Sequence, residues 1–138
     1  MKERTLLMIK PDAVKARRIG KIIDLVEQNF AIVGIRMKRF RREEAERFYA
    51  VHRGKPFYEH LVEFITSGPV VGLLLEGEDV IQRVRAFIGA TDPAKAEPGT
   101  LRALYGTSVT ENAVHASDSA ESAAYEIPFF FDEERRAA

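Results

Sequence analysis

Two short apolar runs limit what this chain can fold into more than any other feature. Residues 6–9 (LLMI) run unbroken until Lys10 and Pro11, and residues 70–75 (VVGLLL) follow Ser-Gly-Pro and stop at Glu76 and Gly77. Both runs are far shorter than a membrane span or a signal-peptide core. Apolar character without polar alternation predicts a strand covered on both faces. Between the two runs, Val33, Ile35 and Met37 alternate with Gly34, Arg36 and Lys38, the period of a strand with one wet face.

Helical spacing fills the intervals. Ile19, Ile22, Ile23, Val26 and Phe30 recur as one amphipathic stripe, as do Phe57, Leu61, Phe64 and Ile65, and Val80, Val84, Phe87 and Ile88. Residues 41–49 (RREEAERFY) predict a short helix with Glu43 and Arg47 as an i,i+4 pair, and Asn29 is placed to end the first helix in a left-handed turn. Residues 89–100 (GATDPAKAEPGT) read as an ordered surface loop. Strand, helix, strand, two helices, strand, helix, loop and helix in that order predict one sheet with helices packed on it, of the α/β or α+β class.

With 138 residues the chain suits one domain, which buries roughly two thirds of its unfolded surface. Lys plus Arg and Asp plus Glu are 21 each, so the whole-molecule charge selects no nucleic acid and any anion site must be local. The absence of cysteine excludes disulfides, thiolate metal sites and cysteine nucleophiles, and with no signal or spanning segment a soluble, cytoplasmic protein is expected.

Of the three histidines, His115 lies in the most unusual setting, the polar stretch 111–122 (ENAVHASDSAES). Asp118 and Glu121 have capping-box spacing, and Ala120, Ala123, Ala124 and Ile127 form a stripe up to Pro128. His115 is thus expected just before a helix N-terminus, where free N–H groups and the helix dipole welcome phosphate. Ala113, Ala116 and Ser117 leave room around it. A neutral imidazole has one ring nitrogen with a free lone pair, able to attack phosphorus. On the residues alone, a surface or capping histidine fits as well. Metal ligation is disfavoured because His52, His60 and His115 show no ligand spacing, and neither GxxxxGK[ST] nor GxGxxG occurs.

The segment NAVHASD (112–118) resembles the NxxHxSD signature of the nucleoside diphosphate kinases. ERTLLMIKPDAV, FYAVHRGKPFYEHLVEFITSGPVV, LEGEDVI, IGATDPA, PGTLRA and SDSAESAAYEI resemble other segments of that family in order, so the likeness, to a bacterial type, covers nearly the whole chain as a single domain, 1–138. The resemblance implies a ferredoxin-like α+β sandwich, a four-stranded antiparallel sheet with helices on one face. It implies ping-pong transfer of a γ-phosphoryl group from a nucleoside triphosphate, mainly ATP, to a nucleoside diphosphate through phosphohistidine, maintaining nucleotide pools. Matched residue by residue, His115 is the nucleophile and Glu126 holds the ring's other nitrogen. Ser117 belongs with them as a catalytic residue. Lys10 and Asn112 meet the ribose hydroxyls, and Tyr49 lies close to the transferred phosphate. Phe57 stacks on the base, with Leu61 and Val109 around it, while His52, Arg85, Thr91 and Arg102 contact phosphate. Mg²⁺ is implied as a bridge between phosphates without a direct protein ligand, and a homo-oligomer, tetramer or hexamer, as the assembly. Stacking without edge readout implies broad nucleotide acceptance.

The chain departs from the family pattern in places. Ala116 stands where members often have Gly, at a cost of roughly 1 kcal/mol if that position needs positive φ. Asn29 replaces a Gly in a turn one residue shorter, and the tail 132–138 (DEERRAA) is short where family subunits use this segment in assembly. The rival function is a ferredoxin-like nucleic-acid-binding module using residues 36–42 (RMKRFRR), although three glutamates follow within four residues. A non-catalytic nucleotide sensor is disfavoured because such a protein need not keep the nucleophile.

Overall fold

The computed structural model describes residues 2–131. Strands β1 (Lys2–Ile9), β2 (Ala31–Lys38), β3 (Val70–Glu78) and β4 (Val114–Ala116) form one sheet in the order β2-β3-β1-β4, with every neighbouring pair antiparallel. The helices are α1 (Pro11–Lys15), α2 (Ile19–Asn29), α3 (Arg42–Phe48), α4 (Tyr58–Ile65), α5 (Val80–Ile88), α6 (Leu101–Tyr105) and α7 (Ala120–Glu126). Residues 128–131 are helical again, so Pro128 interrupts the helical path rather than ending it. The topology is ferredoxin-like α+β.

The two apolar runs are the central strands, and both faces are covered. Leu7 and Ile9 of β1, with Leu73 and Leu75 of β3, join Ile22 and Val26 of α2 and Val80, Val84 and Ile88 of α5 in one buried layer. Leu6, Met8 and Leu74 point the other way, into a layer with Phe48 of α3, Val62 and Ile65 of α4, and Phe130 and Phe131. Burying each such side chain is worth about 1.5–3 kcal/mol, so neither layer is dispensable. Helices therefore lie on both faces, which corrects the one-sided arrangement implied by the family resemblance. Within β3, position 72 takes glycine because a Cβ there would sit 2.5 Å from the Phe130 ring.

Other expectations are corrected in detail. The alternation of β2 is present, but Val33, Ile35 and Met37 are the exposed residues, at 42%, 56% and 56%, and the half-buried face carries Gly34, Arg36 and Lys38. Among the described residues no helix covers the apolar side of this edge strand. Asn29 is the last residue of α2; the chain leaves through Phe30 in an extended conformation, and Asn29 Nδ2 donates to the Leu25 carbonyl. The ion pairs of α3 include Arg42 with Glu46 at 3.2 Å and with Glu59 at 2.6 Å and Glu44 with Lys38 at 2.9 Å, whereas Glu43 pairs with Arg41. Helix α1, led by Pro11 at its first turn, was not anticipated, nor was α6 at the end of the 89–100 loop. The tail 132–138, with its expected role in assembly, lies outside the described residues.

Candidate active site

His115 sits in β4 rather than in a loop. It pairs with Met8 of the central strand, and since directly opposed residues share a face, its ring points into the α3 side. There the Phe48 ring meets it edge-on at 5.5 Å. Nε2 lies 2.9 Å from Glu126 Oε1, and the Ser117 hydroxyl donates to the same oxygen at 2.7 Å. An ionised carboxylate only accepts, so this contact selects the tautomer with hydrogen on Nε2 and leaves the lone pair on Nδ1. Helix α7 starts at a Ser119 cap, whose hydroxyl accepts from the Ser122 N–H at 3.0 Å. Asp118, the expected cap, instead accepts from the Ser122 hydroxyl, which holds its carboxyl below the usual range. The imidazole thus draws on the last residue of α7, not on its N-terminus.

Before β4 the backbone makes a tight reversal. The Val114 N–H donates to the Asn112 carbonyl at 2.9 Å around Ala113, whose φ is 75°, a γ-turn in the left-handed region. Such a conformation costs a non-glycine residue roughly 1–3 kcal/mol. Ala116 does not share it, being extended in β4, so the substitution expected to strain the backbone is harmless there. Both backbone groups of Ala113 are tied to the corner between β1 and α1. Its carbonyl accepts from the Lys10 N–H at 2.9 Å, and its N–H donates to Asp12 Oδ2 at 3.0 Å.

Asn112 and Lys10 are joined directly. Lys10 Nζ donates to Asn112 Oδ1 at 3.0 Å and to the Thr110 carbonyl at 2.8 Å, while Asn112 Nδ2 donates to the carbonyls of Thr91 and Val109. Burial pushes the Lys10 ammonium down to about 8, with Asp12 opposing the shift and Arg102 adding to it. Arg102 is buried on α6, giving Nη1 to the Gly89 carbonyl and Nη2 to the Val114 carbonyl, while its Nε has no partner among the described residues. Burial and nearby Arg85 lower it to about 10. Arg85 of α5 reaches the Ala116 carbonyl at 3.3 Å.

A chain of rings forms the other wall. Tyr49, His52 and Phe57 follow one another at centroid distances of 6.1 and 5.2 Å. Burial raises the Tyr49 phenol well above its usual value, keeping it protonated; burial, then the charge of Lys55, lowers His52. Phe57 is 45% exposed ahead of α4, so the helical stripe that suggested a core residue is overridden. Val109 is also exposed, Thr91 contributes its carbonyl, and Leu61 packs against the α3–α4 layer. His60 is exposed and apart from these contacts.

Two residues at the site escaped the sequence reading, Phe48 and Asp12. Pro11 followed by acidic Asp12 is the signature of a helix first turn and would have located α1. Nothing local marks Phe48. Among the described residues no group of three His, Cys, Asp or Glu side chains could hold a metal ion. The donors around His115 are mostly basic or neutral, suited to phosphate oxygens.

Comparison with known proteins gives one consistent result. The nucleoside diphosphate kinase family profile matches residues 3–136. A nucleoside diphosphate kinase of Persephonella marina is 55% identical over 130 residues, 94% of this chain and 93% of that protein. The crystal structure of the Aquifex aeolicus nucleoside diphosphate kinase aligns at 51% identity with a TM-score of 0.90, covering 94% of each chain. A halophilic nucleoside diphosphate kinase from Halobacterium salinarum, in complex with CDP, aligns at 42% identity and a TM-score of 0.92, over 97% of this chain and 90% of that one.

Proposed function

The chain belongs to the nucleoside diphosphate kinases, and we propose that it moves a γ-phosphoryl group, mainly from ATP, onto nucleoside diphosphates through a phosphohistidine at His115. The observation that carries this reading is the 2.9 Å contact between Nε2 and Glu126, which fixes the tautomer and leaves Nδ1 nucleophilic. In the first half-reaction the Nδ1 lone pair forms a bond to the γ-phosphorus, the bond to the β-phosphate oxygen breaks, and the nucleoside diphosphate leaves. The ring keeps its Nε2 proton and gains positive charge, which the Glu126 carboxylate stabilises; Ser117 holds that carboxylate in place. The acceptor's terminal phosphate oxygen then attacks the phosphorus, the N–P bond breaks, and the neutral ring returns.

Phosphoryl transfer demands chiefly position and countercharge. Arg85 and Arg102 suit phosphate oxygens, with His52 and Thr91 beside them, and the protonated Tyr49 phenol serves as a donor near the transferred group. Lys10 and Asn112, locked together, meet the ribose hydroxyls. Exposed Phe57 offers its face to the base, flanked by Leu61 and Val109. CDP bound to the Halobacterium relative fits the same reading. Mg²⁺ would arrive with the nucleotide, held by phosphate oxygens without a protein ligand, and would neutralise charge between the phosphates.

The unpaired edge of β2 and the exposed Val33, Ile35 and Met37 support a homo-oligomer, a tetramer or hexamer. Among the described residues no helix is long and apolar enough to cross a membrane, and we assign the protein, as one domain, to the cytoplasm. The nucleic-acid reading is not favoured, because Lys38, Arg41 and Arg42 are engaged by Glu44, Glu43, Glu46 and Glu59. Incubation with Mg²⁺ and γ-labelled ATP should leave acid-labile, base-stable label on the chain. His115→Gln should remove the label with the fold intact; retention of the label in that variant sinks the assignment.

A further inference from the structure

We propose that Asp12 is a positioning residue for phosphoryl transfer: its carboxylate pins the γ-turn that sets Asn112 relative to His115, and it faces the Lys10 ammonium. The inference rests on the phosphohistidine reading and extends it to a residue outside the contacts described for the nucleotide.

The geometry is specific. Ala113 holds a left-handed φ of 75° that an alanine does not adopt unaided. Its carbonyl is fixed by the Lys10 N–H, but its N–H has one partner, Asp12 Oδ2 at 3.0 Å, reached across 101 residues of sequence. Asn112 lies on one side of this residue and the strand of His115 on the other, so a relaxed turn displaces the sugar contact and the nucleophile relative to each other. Small displacements of reacting groups are expensive: about 1 Å can cost roughly 100-fold in rate. Asp12 Oδ1 is buried without a hydrogen-bond partner among the described residues, and burial raises the carboxyl's pKa against the pull of the Ala113 N–H and Lys10. The backbone N–H groups of Asp12 and Ala13 at the first turn of α1 also favour the carboxylate, so the helix start holds the side chain where it meets the turn and the lysine.

The second half of the role is electrostatic. Lys10 is faced by Asp12 from α1, Arg102 from α6, the Phe64 ring of α4 at 5.4 Å, and the Thr110 carbonyl and Asn112 amide. Of the two charged groups, Arg102 discourages the ammonium and Asp12 sustains it. Removing the carboxylate therefore discharges Lys10 at a lower pH, which a purely structural role would not do.

Asp12→Asn keeps an oxygen for the Ala113 N–H and deletes the charge; Asp12→Ala deletes both. For Asp12→Asn, kcat at pH 7 should stay within about threefold of the parent, and the rise in KM for the nucleoside diphosphate with pH should begin earlier. For Asp12→Ala, kcat should fall by about 10- to 100-fold with KM raised. The inference is overturned if both variants, folded by circular dichroism, keep the parent's kcat and its KM–pH profile. It is equally overturned if activity falls only in proportion to lost folded protein, with the profile unmoved. Should Asp12→Ala not fold, the Asp12→Asn profile decides alone. Failure of the parent to carry label on His115 would sink the phosphohistidine reading instead, so the two failures are distinguishable.

Discussion

Lys10 is the residue whose environment most strongly shapes behaviour with pH. In the unfolded chain it keeps its proton to about 10.5, whereas in the native state it releases it at about 8. Between those values the native state binds fewer protons than the unfolded chain, so this group makes folding more favourable as pH rises. Binding moves the opposite way, because the nucleotide loses an ammonium. KM for the diphosphate should rise above pH about 8 while stability does not fall on this residue's account. Lys10→Arg, which stays charged, should flatten the rise; a parent KM constant from pH 7 to roughly 9.5 would contradict the assignment. His115 and Lys10 could be matched to a family by sequence because their identities carry the signal. The φ of Ala113 could not, since it is imposed by Lys10 and Asp12 and leaves no mark on an alanine.

Elements with several turns or alternations were legible, and short ones were not. Helices α2 and α5 repeat an apolar stripe over enough residues to establish a period, as β2 does with alternation. Strand β4 has three residues and α1 five, too few to show any period, and β4 exists because β1 supplies its partner. The cap of α7 shows how one residue shifts a boundary. Asp118 and Ser119 both suit an N-cap, and only the backbone conformation decides for Ser119. Ser119→Ala should cost about 1 kcal/mol, seen as a lower urea midpoint, and should weaken turnover through Glu126 at the far end of the helix. Asp118→Ala should cost less stability; the reverse ranking would mean that the cap lies at Asp118.

At the scale of the whole molecule, the apolar runs correctly demanded cover on both faces, and the two buried layers provide it. Alternation in β2 gave the period but not which side is wet, because among the described residues nothing covers its apolar face. Ile35→Lys places a charge in the middle of that face. Light scattering should then report a smaller assembly, with the fold retained and the melting temperature reduced. An unchanged mass would put the subunit contact elsewhere. The order β2-β3-β1-β4 sets this face and the reacting ring at opposite margins of one sheet. A change made on the far margin therefore leaves the imidazole, its carboxylate and the turn before it where they are, so self-association and turnover are open to separate alteration by substitution.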